Sequence, residues 1–416
     1  MNGHNSLLSK ISYCVLLCFY FKEGTGLLPP VQTSDKLNEV FSWRQIEYII
    51  NGLPYFYNTP PRGGAADSDE YYIKYNNVPV GIEVYRDRMF VSVPRRRYGI
   101  PSTLNFIQLR QTSKSPPLLP YPNTNVGLYS VYRPRADQCG RLWVVDTGLL
   151  EVPNARKQMK QPEVVVFNLN TDQVIMRYKL KPTDLINERT PGGLTSITVD
   201  VVGNNCDNTY AYITDLATNG LIVFSLKTRE SWRIQHQSFE HDPAALNFTV
   251  AGHPITWRDG LFSVTLTDED RNGSKTALYH PVISTKEFAT STDALRDKSS
   301  EFKDFFRTVG TRGNLSQSGC HAYHKPTRTV LFANIAQDAI QCWNIDKPLT
   351  PGNVQVVAQD HKKLVYISDL KISGDDVWVL VNQMPKFVFS SLDQSENNFF
   401  VHSGRVQDLI RGSVCE

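Results

Sequence analysis

From Leu194 to Ile234 the chain reads as four short strands joined by tight turns. LTSITVDV runs into a turn at Asn204 and Asn205, NTYAYITDL into Thr218-Asn219-Gly220, LIVFSL into a turn over 227–230, and SWRI closes the unit. Alternating runs of Val, Ile, Tyr, Phe and Trp bounded by Gly, Asn and Asp signal strands and hairpins, and helical periodicity is scarce throughout. Units of this kind open near Pro79, Leu128, Leu194, Gly260, Gln317 and Leu364, 47 to 66 residues apart. VFNLNT at 166–171 recurs as VFSLKT at 223–228, 57 residues on. A four-stranded meander cannot bury both of its faces alone, so such units must stack, and closing the stack into a ring removes the exposed edges. Six units predict an all-β fold, a six-bladed β-propeller with four-stranded blades around a central channel. FSWRQIEYII at 41–50 precedes the first unit and is expected to complete the last blade, joining the chain ends. Two stacked β-sandwich domains are the rival for 416 residues, but no linker-like break in composition appears mid-chain.

Lys10 precedes an apolar run, Ile11 to Phe21, followed by the small residues Gly24, Thr25 and Gly26, the pattern of a secretory signal. The run is shorter than the ~18 to 20 apolar residues a spanning helix needs. Residues 1–26 are therefore expected to be a signal peptide and 27–416 a single propeller domain, secreted and free of the membrane once the signal is removed. Of seven cysteines, Cys14 and Cys18 leave with the signal, and Cys139, Cys206, Cys320, Cys342 and Cys415 remain. That odd number allows two disulfides and one thiol in an oxidising compartment, with the pairing open. Sequons at Asn247, Asn272 and Asn314 fit export as glycosylation sites. The 44 basic against 41 acidic residues, net +3, argue against a nucleic-acid surface and leave small molecules or proteins as partners. They say nothing of oligomeric state.

In such a meander the start of the first strand and the end of the second lie at one end of the blade, so residues there converge on one mouth of the channel. In the sixth blade this selects Tyr366, Ser368, Asn382 and Met384 as ligand-binding candidates. It also selects Ser196, Thr214 and Asp215 in the third, Asp146 and Thr147 in the second, and Ser318 and Asn334 in the fifth. Asp and Thr at strand ends also cap turns or tie neighbouring blades, which is the structural alternative for each. Arg95, Arg96 and Arg97 end the second strand of the first blade, where a guanidinium can grip a carboxylate or form a solvated charge run. Asp268 to Gly273 opens like a calcium loop, but Tyr279 stands where a bidentate Glu is required, so a hairpin turn is expected. No zinc spacing and no hydrolase, Walker or dinucleotide fingerprint is found, so neither metal nor cofactor is expected.

Several strings resemble the Yellow and major royal jelly protein family of insects. They are FSWRQIEY at 41–48, YNNVPVGIEVYRDRMFVSVPRRR at 75–97, GIPSTLNFI from Gly99, CGRLWVVDTG at 139–148, ITVDV at 197–201 and YAYITD at 210–215. DGLFSVTL from Asp259, CWN at 342–344, DLKI at 369–372 and VWVLVNQMP at 377–385 continue the likeness over nearly the whole chain beyond residue 26. The resemblance implies a secreted six-bladed propeller with disulfides Cys139–Cys206 and Cys342–Cys415, leaving Cys320 as a buried free thiol. It implies that the Tyr366, Ser368, Asn382 and Met384 positions hold serotonin or catecholamines, with Met384 replacing a bulky aromatic of relatives. VPRRRYGIPSTLNFI looks most like the branch that converts dopachrome to a dihydroxyindole in the melanin pathway. For such an isomerase, an Arg of 95–97 would hold the carboxylate, Asp215 or Asp369 would be the base, and Ser368 and Asn382 would face the ring oxygens. The alternative is a non-catalytic binder of biogenic amines or a secreted pigmentation or cuticle factor using the same channel.

Overall fold

The computed structural model describes residues 36–56, 72–152, 155–299 and 305–416. Residues 1–26, expected to be a signal peptide, lie outside them. Six four-stranded antiparallel sheets form a six-bladed β-propeller. The inner strands are Gly81–Tyr85, Arg135–Ala136, Leu194–Val201, Leu261–Glu269, Ser318–His324 and Ile367–Ser373, close to the starts expected from the sequence. Blade 6 is Ile367–Ser373, Asp376–Val381 and Phe399–Arg405, completed by Asn38–Trp43 from the other end of the chain. The expected closure is thus present over a shorter segment. Ile49–Ile50 belongs instead to a small hairpin with Leu53–Pro54.

Each blade buries alternate side chains against its neighbours, and the core is a series of inter-blade layers. One holds Trp143, Val145, Ile213, Ile222 and Phe224; another holds Phe41, Trp43, Val84, Met89 and Val401. Burial of aromatic and aliphatic surface at roughly 25 cal/mol per Å² drives this stacking. The disulfides are Cys139–Cys206 and Cys342–Cys415, and Cys320 is the buried free cysteine. Asp270 accepts from the Asn272 and Ser274 amides in the hairpin between Leu261–Glu269 and Lys275–Pro281, so the calcium-like string is a turn. Asn247, Asn272 and Asn314 are all exposed. Among the described residues no helix is long and apolar enough to cross a membrane.

The second strand of every blade ends at one face of the ring, and long connections gather there. They are 93–103 in blade 1, the hairpin Leu149–Val152 with Ala155–Gln158 in blade 2, and the helix Met384–Phe389 in blade 6. The links into the inner strands of blades 3, 4 and 6 reach the same face. These loops, with the first residues of the inner strands, build the walls of the channel mouth.

Candidate functional site at the channel mouth

Arg133 divides the channel. Pro134 has no N–H for the ladder, and the inner strand of blade 2 is interrupted between the Val131–Asp146 bridge and Arg135. Arg133, in that gap, sends its side chain across the channel. Its Nε donates to the Ser368 carbonyl of blade 6 at 3.0 Å and its Nη1 to the Thr195 carbonyl of blade 3 at 2.9 Å. The guanidinium lies 4.4 Å from the Phe262 ring centre of blade 4. Below it is a cavity of about 110 Å3 bordered by Arg135, Ser196, Cys320, His321, Asp369 and Lys371. Above it is the mouth cavity, about 260 Å3.

The mouth cavity has aromatic walls and charged contacts. Tyr132, Trp257, Phe262 and Tyr366 line it with Met384 and Val388; Arg96, Glu151, Asp259 and Arg189 supply charge. Trp257 meets Tyr366 edge-on, with ring centres 6.1 Å apart. Tyr366 has φ 57° and Gln383, just before Met384, φ 52°. Non-glycine residues adopt this left-handed region only at a cost of order 1 kcal/mol or more, and such strain clusters at functional sites. Both residues that introduce the blade-6 wall are held this way.

Asp259 owes its place to its neighbour. A Cβ on Gly260 would lie 2.1 Å from Asn219 Oδ1 and 2.5 Å from the Phe239 carbonyl, so only glycine fits that crossing. The Gly260 amide bonds the Leu216 carbonyl at 2.9 Å, and Asp259 is fixed at the cavity wall. Burial raises its pKa from 3.8 to about 6, although the Arg96 and Arg189 guanidiniums pull it down. Glu151 faces it from the blade-2 hairpin, whose backbone bonds the Arg95 carbonyl at 3.0 Å. Glu151 accepts from the Tyr132 hydroxyl and lies 3.6 Å from Arg96. Burial and the nearby Glu151 raise the Tyr132 phenol, and burial pushes the Tyr366 phenol up to about 12, so both remain neutral hydroxyls.

Of the residues expected at this mouth, the structure brings Arg96, Tyr366, Ser368 and Met384 to the cavity. Ser368 also donates to the Val80 carbonyl at 2.7 Å. Several others are ties and caps. Asn382 donates to the Pro79 carbonyl at 2.8 Å and accepts from the Met384 amide; Thr214 donates to the Phe262 carbonyl at 3.1 Å. Asn334 bonds the Leu315 carbonyl and two turn amides, and Ser318 the Cys320 carbonyl. Asp146 takes the Tyr129, Ser130 and Gly148 amides, and Thr147 the Ser130 carbonyl. Ser196 lies in the lower cavity.

Two expectations need correction. Arg95 does not present its guanidinium at the mouth: it is buried and donates to the Ile100, Tyr129 and Pro101 carbonyls, pinning two loops together. Arg97 lies 4.0 Å from the Phe387 ring centre. Neither proposed base reaches the Tyr366 cavity. Asp215 is paired with Arg233 at 2.8 Å and caps the Ala217 and Thr218 amides. Asp369 holds the Ile82 and Leu370 amides and sits below Arg133, 3.4 Å from Lys371. Buried carboxylates at strand ends are held by such partners because leaving them unpaired is costly.

Sequence reasoning missed Asp259, Glu151, Trp257, Arg133 and Arg189. Asp259 was detectable, since it lies two residues before the inner strand of blade 4; the others sit in connections or in an interrupted strand whose placement no periodicity reports. Among the described residues, one group of side chains could share a metal: His280, Glu287 and His321, with ligand atoms within 4.8 Å. Arg312 already lies 2.7 Å from Glu287, and His280 spans Glu287 and the Gly319 carbonyl. A cation already occupies that role, and the cluster ties blade 4 to blade 5.

Fold and cavity together define a propeller whose channel mouth offers a small-molecule pocket of aromatic and charged side chains. The chain belongs to the major royal jelly protein family, which it matches over residues 129–415. It is 38% identical to L-dopachrome tautomerase yellow-f of Drosophila melanogaster over 92% of this chain and 95% of that protein. It is 36% identical to Protein yellow of the same species, over 94% of this chain and 72% of that one. Among solved structures, a luciferin-regenerating enzyme aligns over 80% of this chain and 92% of its own, with a TM-score of 0.46 and 9% identity.

Proposed function

We propose that this is a secreted L-dopachrome isomerase of the melanin pathway, working in the mouth cavity with Asp259 as its base. The observation that carries the reading is a carboxylate with pKa about 6 set among aromatic rings and arginines, in a chain similar to an L-dopachrome tautomerase. Dopachrome is a flat, carboxylated quinone. Its isomerisation conserves every atom and needs no oxidant or reductant: one proton leaves the carbon beside the carboxylate and a second leaves the adjoining ring methylene, electrons shift into the ring, and the two quinone oxygens take up the two protons. A base with pKa near the working pH is both ionised and proton-accepting. Arg189 adds positive charge at the mouth, and Tyr366 offers a neutral hydroxyl to a ring oxygen. Two disulfides support secretion, with 1–26 as the signal and 27–416 as one domain.

The test is the loss of dopachrome absorbance with purified protein against a heat-killed control, repeated with Asp259→Asn. Loss of a general base predicts a fall of about 100-fold or more. Decay equal to the heat-killed control would remove the enzymatic reading. A second reading, a carrier of biogenic amines, is favoured by Glu151 and Asp259 beside Trp257 and Tyr366, since carboxylates and aromatic faces both attract an ammonium. Calorimetry with dopamine and serotonin separates the two.

A further inference from the structure

We infer that Arg133, the floor of the mouth cavity, is the group that reads the ligand's carboxylate, making the site selective for aromatic acids over the same rings without the acid. This rests on the mouth cavity being the ligand site and deepens the isomerase reading by naming the feature that selects its substrate.

Arg133 is 6% exposed, and a buried guanidinium ordinarily has a carboxylate against it. Two other buried arginines follow that pattern, Arg141 with Asp137 at 2.7 Å and Arg312 with Glu287 at 2.7 Å, while Arg95 pins loop carbonyls outside the mouth cavity. Arg133 has no carboxylate within ion-pair distance among the described residues, and its hydrogen bonds go to two backbone carbonyls, from Nε and Nη1. Nη2 donates to no group among those residues. Two carbonyls and the face of Phe262 hold the charge in place without neutralising it. Arg96, by contrast, already has Glu151 at 3.6 Å. The uncompensated charge borders the mouth cavity at its closed end, with Asp259 on the wall beside it. An anionic ligand entering that end would complete the ion pair the fold leaves open. A carboxylate there would also place its own neighbouring carbon within the cavity that Asp259 lines.

The experiment compares two chromophores, dopachrome and its decarboxylated counterpart from dopamine, and two binding probes, indole-2-carboxylate and indole, on wild type and Arg133→Gln. Wild type should prefer each acid about ten- to hundredfold, the scale of one charge-assisted pair. Arg133→Gln should lose that preference, its values falling at least about tenfold further for each acid than for the matching decarboxylated compound. A merely structural Arg133 would lower all four together, and that result overturns the inference. If neither chromophore is converted, the isomerase reading fails and the calorimetric pair decides alone: equal affinity of wild type for indole and indole-2-carboxylate overturns the Arg133 assignment. If Arg133→Gln does not fold, the wild-type preference and its survival in Arg133→Lys decide the question in the same way.

Discussion

Replacing Asp259 by Asn should trade activity for stability, and the structure sets the size of both effects. The Asp259 carboxyl is raised from 3.8 to about 6 by burial, with Arg96 and Arg189 opposing and Glu151 adding to the rise. The folded state therefore holds this proton more tightly than the unfolded chain. Between pH 4 and pH 6 folding stability falls as pH rises, and above about 6 the full penalty applies. A shift of about 2 units at about 1.4 kcal/mol each makes the penalty about 3 kcal/mol, an upper bound because cavity water screens it. Asn has the size of Asp and no charge, so Asp259→Asn removes the penalty. With an unfolding entropy of roughly 2.1 cal/mol/K per residue, a propeller of this length should melt about 2 to 4 °C higher than wild type at pH 7.5. At pH 4 the two should melt together. In the dopachrome assay wild-type kcat/KM should rise about tenfold per pH unit below pH 6 and level off above it, while the variant stays about 100-fold or more below that plateau. Equal melting temperatures at both pH values would refute the raised pKa. Full activity in Asp259→Asn would refute its role as base even if the stability effect appears.

Arg233→Ala strands the buried Asp215; it should cost about 3 to 5 kcal/mol in urea unfolding and leave the specific activity of the folded fraction near wild type. Breaking Cys139–Cys206 or Cys342–Cys415 by paired Ser substitutions reopens loops of 67 or 73 residues. Each should cost about 2 to 5 kcal/mol, read as a lower denaturant midpoint. The Cys320 thiol, pushed up to about 12 by burial, should resist iodoacetamide in the native protein and take up one equivalent in guanidinium with the disulfides intact; rapid native labelling would contradict its buried, protonated state.

The ring of blades was legible because each blade repeats a local signal, alternating strands and Gly, Asn or Asp turns, and because edges demand closure. The rule that inner-strand starts face the mouth was sound for the backbone and misleading for many side chains. Thr214, Asn382 and Ser368 each donate to a carbonyl of the next blade. At these positions a short polar side chain at the strand end supplies a donor to the neighbouring blade. Polar residues at these positions are thus selected first by the need to satisfy the backbone. Ser368 reaches the cavity while performing that task.

The same reasoning shows where chemistry resides in such a ring. A side chain that ties strands or turns has spent its hydrogen-bonding capacity, as Asp215 and Asp369 have, and neither borders the mouth cavity. A group available to a ligand must be desolvated yet left without a protein partner, which destabilises the fold and survives only if the surrounding structure enforces it. Asp259 is enforced by Gly260, whose position no other residue can take, and Arg133 by the carbonyls of Ser368 and Thr195. One is a carboxylate near neutrality, the other a cation without a counter-ion, and both border one cavity. A ligand that is acidic at one end and gives up a proton beside that acid would relieve both costs at once.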